Sequence, residues 1–209
     1  MKHLWHWLAR RRAARLADRL KQHLPMMGCV LDVGSGTGHN ALALRTHRGV
    51  EVVEVDVADL HVVGDGPILF DGTSLPFSDG QFAVTLLIFV LHYPVDPLHL
   101  LNEARRVTSE RVLVIQSTYC GRLGLVRLTV REFLLGRFAF WLARLTRFIG
   151  RVSCPLHPQR YWTREALLAA GRSAGLTLRE VQPESPGQPV LRDAKLARDL
   201  YVWEVVATP

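Results

Sequence analysis

The chain has 209 residues, 48% of them hydrophobic, and a formal net charge of +7, enough for one domain with a full core and too few for two of ordinary size. Its three cysteines, Cys29, Cys120 and Cys154, have no paired spacing, which excludes a disulfide framework or a cysteine zinc site and suits a reducing compartment. No run reaches the roughly 20 apolar residues of a membrane span, and the basic N-terminus lacks the apolar stretch of a signal peptide, so a cytoplasmic single domain over 1–209, without a metal site, is expected.

Residues 1–24 carry a net charge of +6. Residues 11–24 fit an amphipathic helix, with Ala13, Leu16, Ala17, Leu20 and Leu24 on one arc opposite Arg11, Arg12, Arg15 and Arg19, and with Trp5 and Trp7 ahead of it. An apolar strand from Val30 then breaks into glycines at every second position, Gly34, Gly36 and Gly38, before a helix-favouring run from Ala41. Glycines let backbone come close to a ligand, and the helix start beyond them offers free N–H groups. A dinucleotide fingerprint needs glycines at loop positions 1, 3 and 6. The sixth position here is His39, and Asp32 just before the loop repels phosphate but attracts an ammonium group. His39 and His47 read as surface residues of the helix.

Gly49 to Asp56 reads as the second strand, with Glu54 and Asp56 on one face. Asp56 stands at the strand end, where ligands bind in open α/β sheets. The connection from Asp56 to Asp71 is short, so a helix there is reduced or absent; Asp71-Gly72 marks a turn. Phe82 to Tyr93 reads as a strand and its end, and Arg111 to Gln116 as another strand. Residues 120–151 again carry a net +6, while the rest of the chain sums to −5. Within them Leu134, Phe138, Trp141, Leu142, Leu145, Phe148 and Ile149 share an arc beside Arg137, Arg144, Arg147 and Arg151, too long a segment for a plain connection. Thr163 is placed to cap a helix that ends near Gly175; Leu176 to Val181 and Leu200 to Val206 read as the last strands, with an irregular loop over 183–189. Charge asymmetry of this kind points to an anionic surface. For each basic helix two readings stand: in-plane membrane binding, or an apolar arc packed on the domain with the arginines solvated.

Asp32-Val33-Gly34-Ser35-Gly36-Thr37-Gly38, following its apolar strand, resembles motif I of the class I S-adenosylmethionine-dependent methyltransferases. The likeness runs through most of the chain. Asp56 resembles the acidic residue that holds the ribose hydroxyls. Asp71, in Asp71-Gly72-Thr73-Ser74-Leu75-Pro76-Phe77, resembles the one facing the adenine amino group, and Leu91-His92-Tyr93 the end of the fourth strand in the small-molecule, type 11-like branch. The resemblance implies a Rossmann-like α/β fold with a seven-stranded, mostly parallel sheet, helices on both faces and a reversed antiparallel edge. It implies S-adenosyl-L-methionine as methyl donor, held by Asp32, Gly34, Ser35, Gly36, Gly38, Asp56, Asp71 and Gly72, and a lid over residues 120–160 covering the acceptor. Many relatives have Phe-Asp where this chain has Phe82-Ala83.

Asp32 either meets the donor's ammonium directly or orients the loop, and Asp71 either faces adenine or is an ordinary turn residue. His92, at the ligand-binding edge with a suitable pKa, is the candidate general base, unless it is only a structural histidine. Tyr93 is the candidate for orienting the acceptor, with His157 and Tyr161 as weaker candidates. Phe133, Phe138, Phe140 and Trp141 in the lid suit an apolar acceptor, such as a quinone, an isoprenoid or another lipid, taken up at the inner face of an anionic membrane. Two rivals stand beside this reading: an RNA methyltransferase whose basic helices track phosphates, and a non-catalytic membrane-associated scaffold that keeps the fold. The sequence leaves the oligomeric state open.

Overall fold

Alternation along the strands decides which helices cover which face of the sheet. The computed structural model describes residues 2–134, 141, 145, 158–184 and 196–205. In chain order it contains α1 (Lys2–Leu20), β1 (Cys29–Val33), α2 (His39–Arg48), β2 (Glu51–Asp56), β3 (Ile68–Leu69), β4 (Phe82–Ile88), α3 (Pro97–Val107), β5 (Thr108–Ile115), β6 (Thr118–Tyr119), α4 (Gly121–Arg131), α5 (Arg164–Ser173), β7 (Leu176–Gln182), β8 (Leu196–Ala197) and β9 (Leu200–Val205). Leu31, Val33, Leu87, Val112, Val114, Tyr201 and Trp203 bury one face against α3 and α5. Val30, Val84, Leu86, Leu113, Ile115 and Val202 bury the other against α1 and α2. Asp32, Glu54 and Asp56 fall on this second face by the same alternation, which brings three acids together under α2.

The strands run in the order β3-β2-β1-β4-β5-β9-β7, with β9 antiparallel to both β5 and β7. This is the seven-stranded, mostly parallel sheet with a reversed edge that the sequence implies. Residues 57–67, all described, form no helix, and β3 is a two-residue edge strand. Thr163 caps α5 as expected, its hydroxyl accepting from Ala166 N–H at 3.1 Å. The unassigned α3 had a legible start: Pro97 at its first turn, and an Asp96 side chain that accepts from His99 N–H at 3.0 Å.

Two expectations need correction. The first helix runs from Lys2 to Leu20, so Trp5 and Trp7 lie within it rather than ahead of it. Its arc of Ala13, Leu16, Ala17, Leu20 and Leu24 is core, so this arc packs on the domain. His39 is buried, not a surface residue, because α1 lies across the start of α2; its Nδ1 is 3.0 Å from the Thr37 hydroxyl. The predicted helix over 134–151 falls largely outside the described residues. His157 and most of the loop over 183–189 fall outside them too. The segment 120–160 leaves and rejoins the sheet at one place, where Tyr119 N–H donates to Trp162 O at 3.0 Å and Trp162 Nε1–H to Leu91 O at 2.9 Å.

Gly171 in α5 packs flat on Trp203, where an added Cβ would stand 2.5 Å from ring carbons of a fully buried indole. The overpacking penalty of about 1–3 kcal/mol outweighs the gain of about 1 kcal/mol in helix propensity. Gly171→Ala is therefore expected to lower the urea midpoint, and a raised midpoint would show that Trp203 can move aside.

Candidate cofactor and acceptor site

The loop after β1 owes its shape to three left-handed glycines and one carboxylate. Gly34, Gly36 and Gly38 have φ of 71°, 58° and 78°, a region that costs other residues about 1–2 kcal/mol. They do different work. A Cβ on Gly34 would meet Val90 Cγ2 at 2.6 Å, and one on Gly38 would meet Val63 O at 2.5 Å, so both are needed for close packing. A Cβ on Gly36 meets nothing nearer than 4.0 Å, so this glycine faces open space. Asp56 ties the loop down: its Oδ2 accepts from Gly36 N–H at 2.8 Å and its Oδ1 from Val57 N–H at 2.7 Å. The first turn of α2 has no side-chain cap, so its leading N–H groups add positive potential beside the loop.

The three acids on this face are served unequally. Glu54 pairs with Arg45 at 2.9 Å and lies 3.3 Å from His61 Nε2, which also reaches the Ser35 hydroxyl at 3.0 Å. Asp56 is held by backbone. Asp32 is 1% exposed, and both its oxygens lack a hydrogen-bond partner among the described residues. Burial, then the charges of Glu54 and Asp56, push its carboxyl up to about 8. An added cation or donor there would relieve a costly burial. An α-ammonium fits that demand, the bare backbone at Gly36 fits the rest of an amino-acid moiety, and the strand-end carboxylate Asp56 fits a diol. These residues suit S-adenosylmethionine.

The turn at Asp71 comes beside β2, since Phe70 N–H donates to Asp56 O at 3.1 Å and a Cβ on Gly72 would meet Val57 at 3.2 Å. Asp71 is exposed and takes hydrogen bonds from Thr73 N–H at 2.8 Å and the Thr73 hydroxyl at 2.6 Å, which hold its carboxyl below the usual range. It thus serves its own turn. Arg106 of α3 fixes the following strap by donating to Leu75 O at 3.0 Å and Phe77 O at 2.8 Å.

At the end of β4, Phe89 takes φ 56°, and the chain there brings Val90 onto Gly34. His92 is 5% exposed, its ring 3.9 Å from that of Tyr93. Burial pulls its pKa down, against the opposing pull of Glu132 and Gln116, so the ring is neutral at pH 7. Gln116 Nε2 lies 2.9 Å from His92 Nδ1. With the amide in this orientation the neutral ring carries its proton on Nε2. Turning the amide over puts Oε1 against a protonated Nδ1 and frees Nε2 to act as a base. Arg131 of α4 donates to Ser117 Oγ at 2.7 Å and pairs with Glu132 at 2.5 Å, which seats α4 beside this histidine. His61, Arg45 and Gln116 were not singled out from the sequence: His61 sits in an irregular connection with no motif around it.

Residues 4–181 match a family described as a methyltransferase domain. An uncharacterized methyltransferase of Mycobacterium sp. (strain KMS) is 42% identical over 95 residues, 42% of this chain and 37% of the relative. The 27-O-demethylrifamycin SV methyltransferase of Amycolatopsis mediterranei (strain S699) is 30% identical over 108 residues, 44% of this chain and 40% of the relative. The chain thus spans about two fifths of the length of these curated relatives. The geranyl diphosphate C-methyltransferase of Streptomyces coelicolor A3(2), solved with Mg2+, geranyl diphosphate and S-adenosyl-L-homocysteine, shares the fold with a TM-score of 0.61. That likeness has 16% identity and covers 91% of this chain and 80% of that one.

The unpaired Asp32 has a consequence for the ligand-free protein. An unfolded aspartate titrates near 3.9, so between about pH 4 and about 8 the folded state keeps a proton that the unfolded chain has released. Stability therefore falls as pH rises through that window, by at most about 1.4 kcal/mol per unit. Asp32→Asn, neutral throughout, is expected to gain on the native chain from pH 5 to pH 8 in urea midpoints. A gap that does not widen would show that the carboxylate is solvated.

Proposed function

The chain belongs to the class I S-adenosylmethionine-dependent methyltransferases, and from that premise we propose that it methylates an apolar small molecule taken up at a membrane surface. The observation that carries this reading is α4. It sits beside His92 and leaves an apolar stripe exposed, with Leu123, Val126, Val130 and Phe133 each 50–65% accessible, next to Arg122 and Arg127. Trp141 and Leu145 beyond it are exposed as well. A contiguous patch of this sort marks an interaction surface, and arginines beside it suit an anionic interface. Among the described residues no helix is long and apolar enough to cross a membrane, so contact would be peripheral.

In this reading Asp32 receives the donor's ammonium, Gly34, Ser35, Gly36 and Gly38 its methionine backbone, and Asp56 the ribose. The adenine lies toward Gly72, with Asp71 shaping the turn. S-adenosylmethionine supplies an activated methyl group on a sulfonium, and the protein's task is alignment of the acceptor behind it. Where the acceptor must lose a proton, His92 takes it at Nε2, Gln116 fixes the ring, and Tyr93 orients the acceptor. The RNA reading is disfavoured by the state of the arginines: Arg19 spends its guanidinium on three carbonyls, and Arg131 on Ser117 and Glu132. The scaffold reading leaves Asp32, buried without a partner, unexplained.

Calorimetric titration with S-adenosylhomocysteine tests the donor site. Asp56→Ala is expected to lose at least about tenfold in affinity, the scale of one charge-assisted hydrogen bond pair. Because Asp32 titrates at about 8 and an α-amino group near 7.7–8.0, native affinity rises from pH 6 toward pH 8, by up to about tenfold per unit. Asp32→Asn flattens that rise; a flat profile in the native chain would leave Asp32 a loop-orienting role. No binding by a folded native chain would favour the scaffold.

Flotation with phosphatidylglycerol vesicles tests the surface. Val126→Asp with Val130→Asp is expected to abolish vesicle binding while homocysteine-ligand affinity stays unchanged. Retained flotation, or tighter binding to a short RNA than to vesicles, would overturn the membrane part of the reading.

A further inference from the structure

A groove of about 1320 Å³ runs between α1 from Trp7 to its end, the residue that follows β4, and the segments that flank β7 and β9. Six basic side chains line it against two acidic ones, Asp18 and Glu184, and Trp7, Leu8, Leu16, Phe89 and Ile115 give it an apolar wall. Three of its cations are engaged along α1 or across to the β7 and β9 segments. Arg19 donates to Gln182 O, Pro183 O and Arg198 O at 3.5, 3.2 and 3.2 Å. Lys21 meets Asp18 at 3.4 Å, and Arg11 lies 4.6 Å from the Trp7 ring centroid.

Arg12 and Arg198 are placed differently. Their guanidinium carbons stand 5.3 and 5.9 Å from the centroid of one ring, Phe89. Arg198 has a loose partner in Glu184 at 3.6 Å. Arg12 has, among the described residues, no carboxylate at ion-pair distance; desolvation of its guanidinium and then repulsion by Arg198 lower its pKa, against the pull of Glu132 from further off. Two like charges are thus gathered on one aromatic residue, itself held at φ 56° with its N–H donating to Ile115 O at 2.7 Å. Guanidinium pairs present forked donors suited to phosphate or carboxylate oxygens. The groove also borders the reacting side of the molecule: the residue after Phe89 packs on Gly34, and Tyr93 lies within the electrostatic reach of Arg12.

We propose that the methyl acceptor is an anionic amphiphile, its phosphate or carboxylate held by Arg12 and Arg198 and its apolar body laid along Phe89, Trp7 and Leu8. This rests on the small-molecule methyltransferase reading above and narrows its substrate class. A neutral quinone or isoprenoid alcohol would leave Arg12 without a carboxylate or phosphate and Arg198 with only its loose pair to Glu184, whereas an anionic headgroup on an apolar chain satisfies charge and wall together.

The test is calorimetry of the S-adenosylhomocysteine-loaded protein with octyl phosphate, octanol and inorganic phosphate. Octyl phosphate is expected to bind at least tenfold more tightly than either of the others. Arg12→Gln and Arg198→Gln are each expected to weaken it about tenfold with homocysteine-ligand affinity unchanged. Octanol binding as well as octyl phosphate, inorganic phosphate binding as well as octyl phosphate, or a double variant that binds octyl phosphate undiminished would overturn the proposal. A parallel titration without the homocysteine ligand reads the groove by itself, so a failed donor site is distinguishable from a failed anion site. Vesicles of phosphatidic acid separate the sources. Arginine-dependent binding of vesicles but not of octyl phosphate assigns the anion to a membrane headgroup, and binding of octyl phosphate assigns it to a dissolved amphiphile; either result supports the proposal.

Discussion

Burying three carboxylates on one face at the ends of β1 and β2 is the constraint around which the rest is arranged. A buried ionised carboxylate is costly unless it is paired and hydrogen-bonded. Glu54 is paired by Arg45 and lies 3.3 Å from His61 Nε2, and Asp56 is solvated by the N–H groups of Gly36 and Val57. Asp32 is left with neither, and its neighbours are acids that make its ionisation worse. A chain selected for stability alone has no use for that side chain in a sealed position. Among the described residues Asp32 is the buried acid with no hydrogen-bond partner on either oxygen.

The same constraint explains why the loop is built from glycines. For Asp56 to reach Gly36 N–H, the loop must curl back over the end of β2, and it does so through left-handed turns at alternate residues. Packing then closes in from two sides, with Val90 against Gly34 and the His61–Val63 segment against Gly38. Gly36 between them remains open. The helix α1 completes the arrangement by covering α2, which buries His39 and keeps water from the acids beneath.

What the sequence revealed follows from where its signals are local. Apolar runs ending in Gly34–Gly38 and at Asp56 mark strand and edge directly, because strand alternation and a glycine loop are written in adjacent residues. Thr163 announces a helix start for the same reason. His39, by contrast, has the neighbours of a surface residue in the chain and becomes buried only through α1, more than eighteen residues upstream of it in the sequence. His61 lies in a connection without periodicity, and its partners Ser35 and Glu54 are chosen by tertiary folding. The apolar arc of α1 is legible over residues 13–20, whereas its first turns display no arc of that width. Asp71 reads from the sequence either as facing adenine or as an ordinary turn residue, and the bonds its oxygens take from Thr73 and Ser74 are those of its own turn.

The two sides of the Val90–Gly34 contact carry opposite electrostatic demands. On one side lie buried acids, with the Asp32 carboxyl pushed up to about 8; on the groove side the guanidiniums of Arg12 and Arg198 gather at Phe89, and the proposed reading gives the first a cation and the second an anion. In methyl transfer from a sulfonium the donor's positive charge is lost as the new bond forms, so the site has little new charge to stabilise and much alignment to provide. On the proposed reading charge sorting supplies alignment at low cost: the donor's ammonium is drawn to Asp32, and an anionic headgroup of the acceptor to Arg12 and Arg198. The apolar wall between then fixes the remaining length of the acceptor. A fold that separates these two demands by a single packed contact orients both reactants before they touch, which is why the buried acid and the paired arginines read as parts of one device.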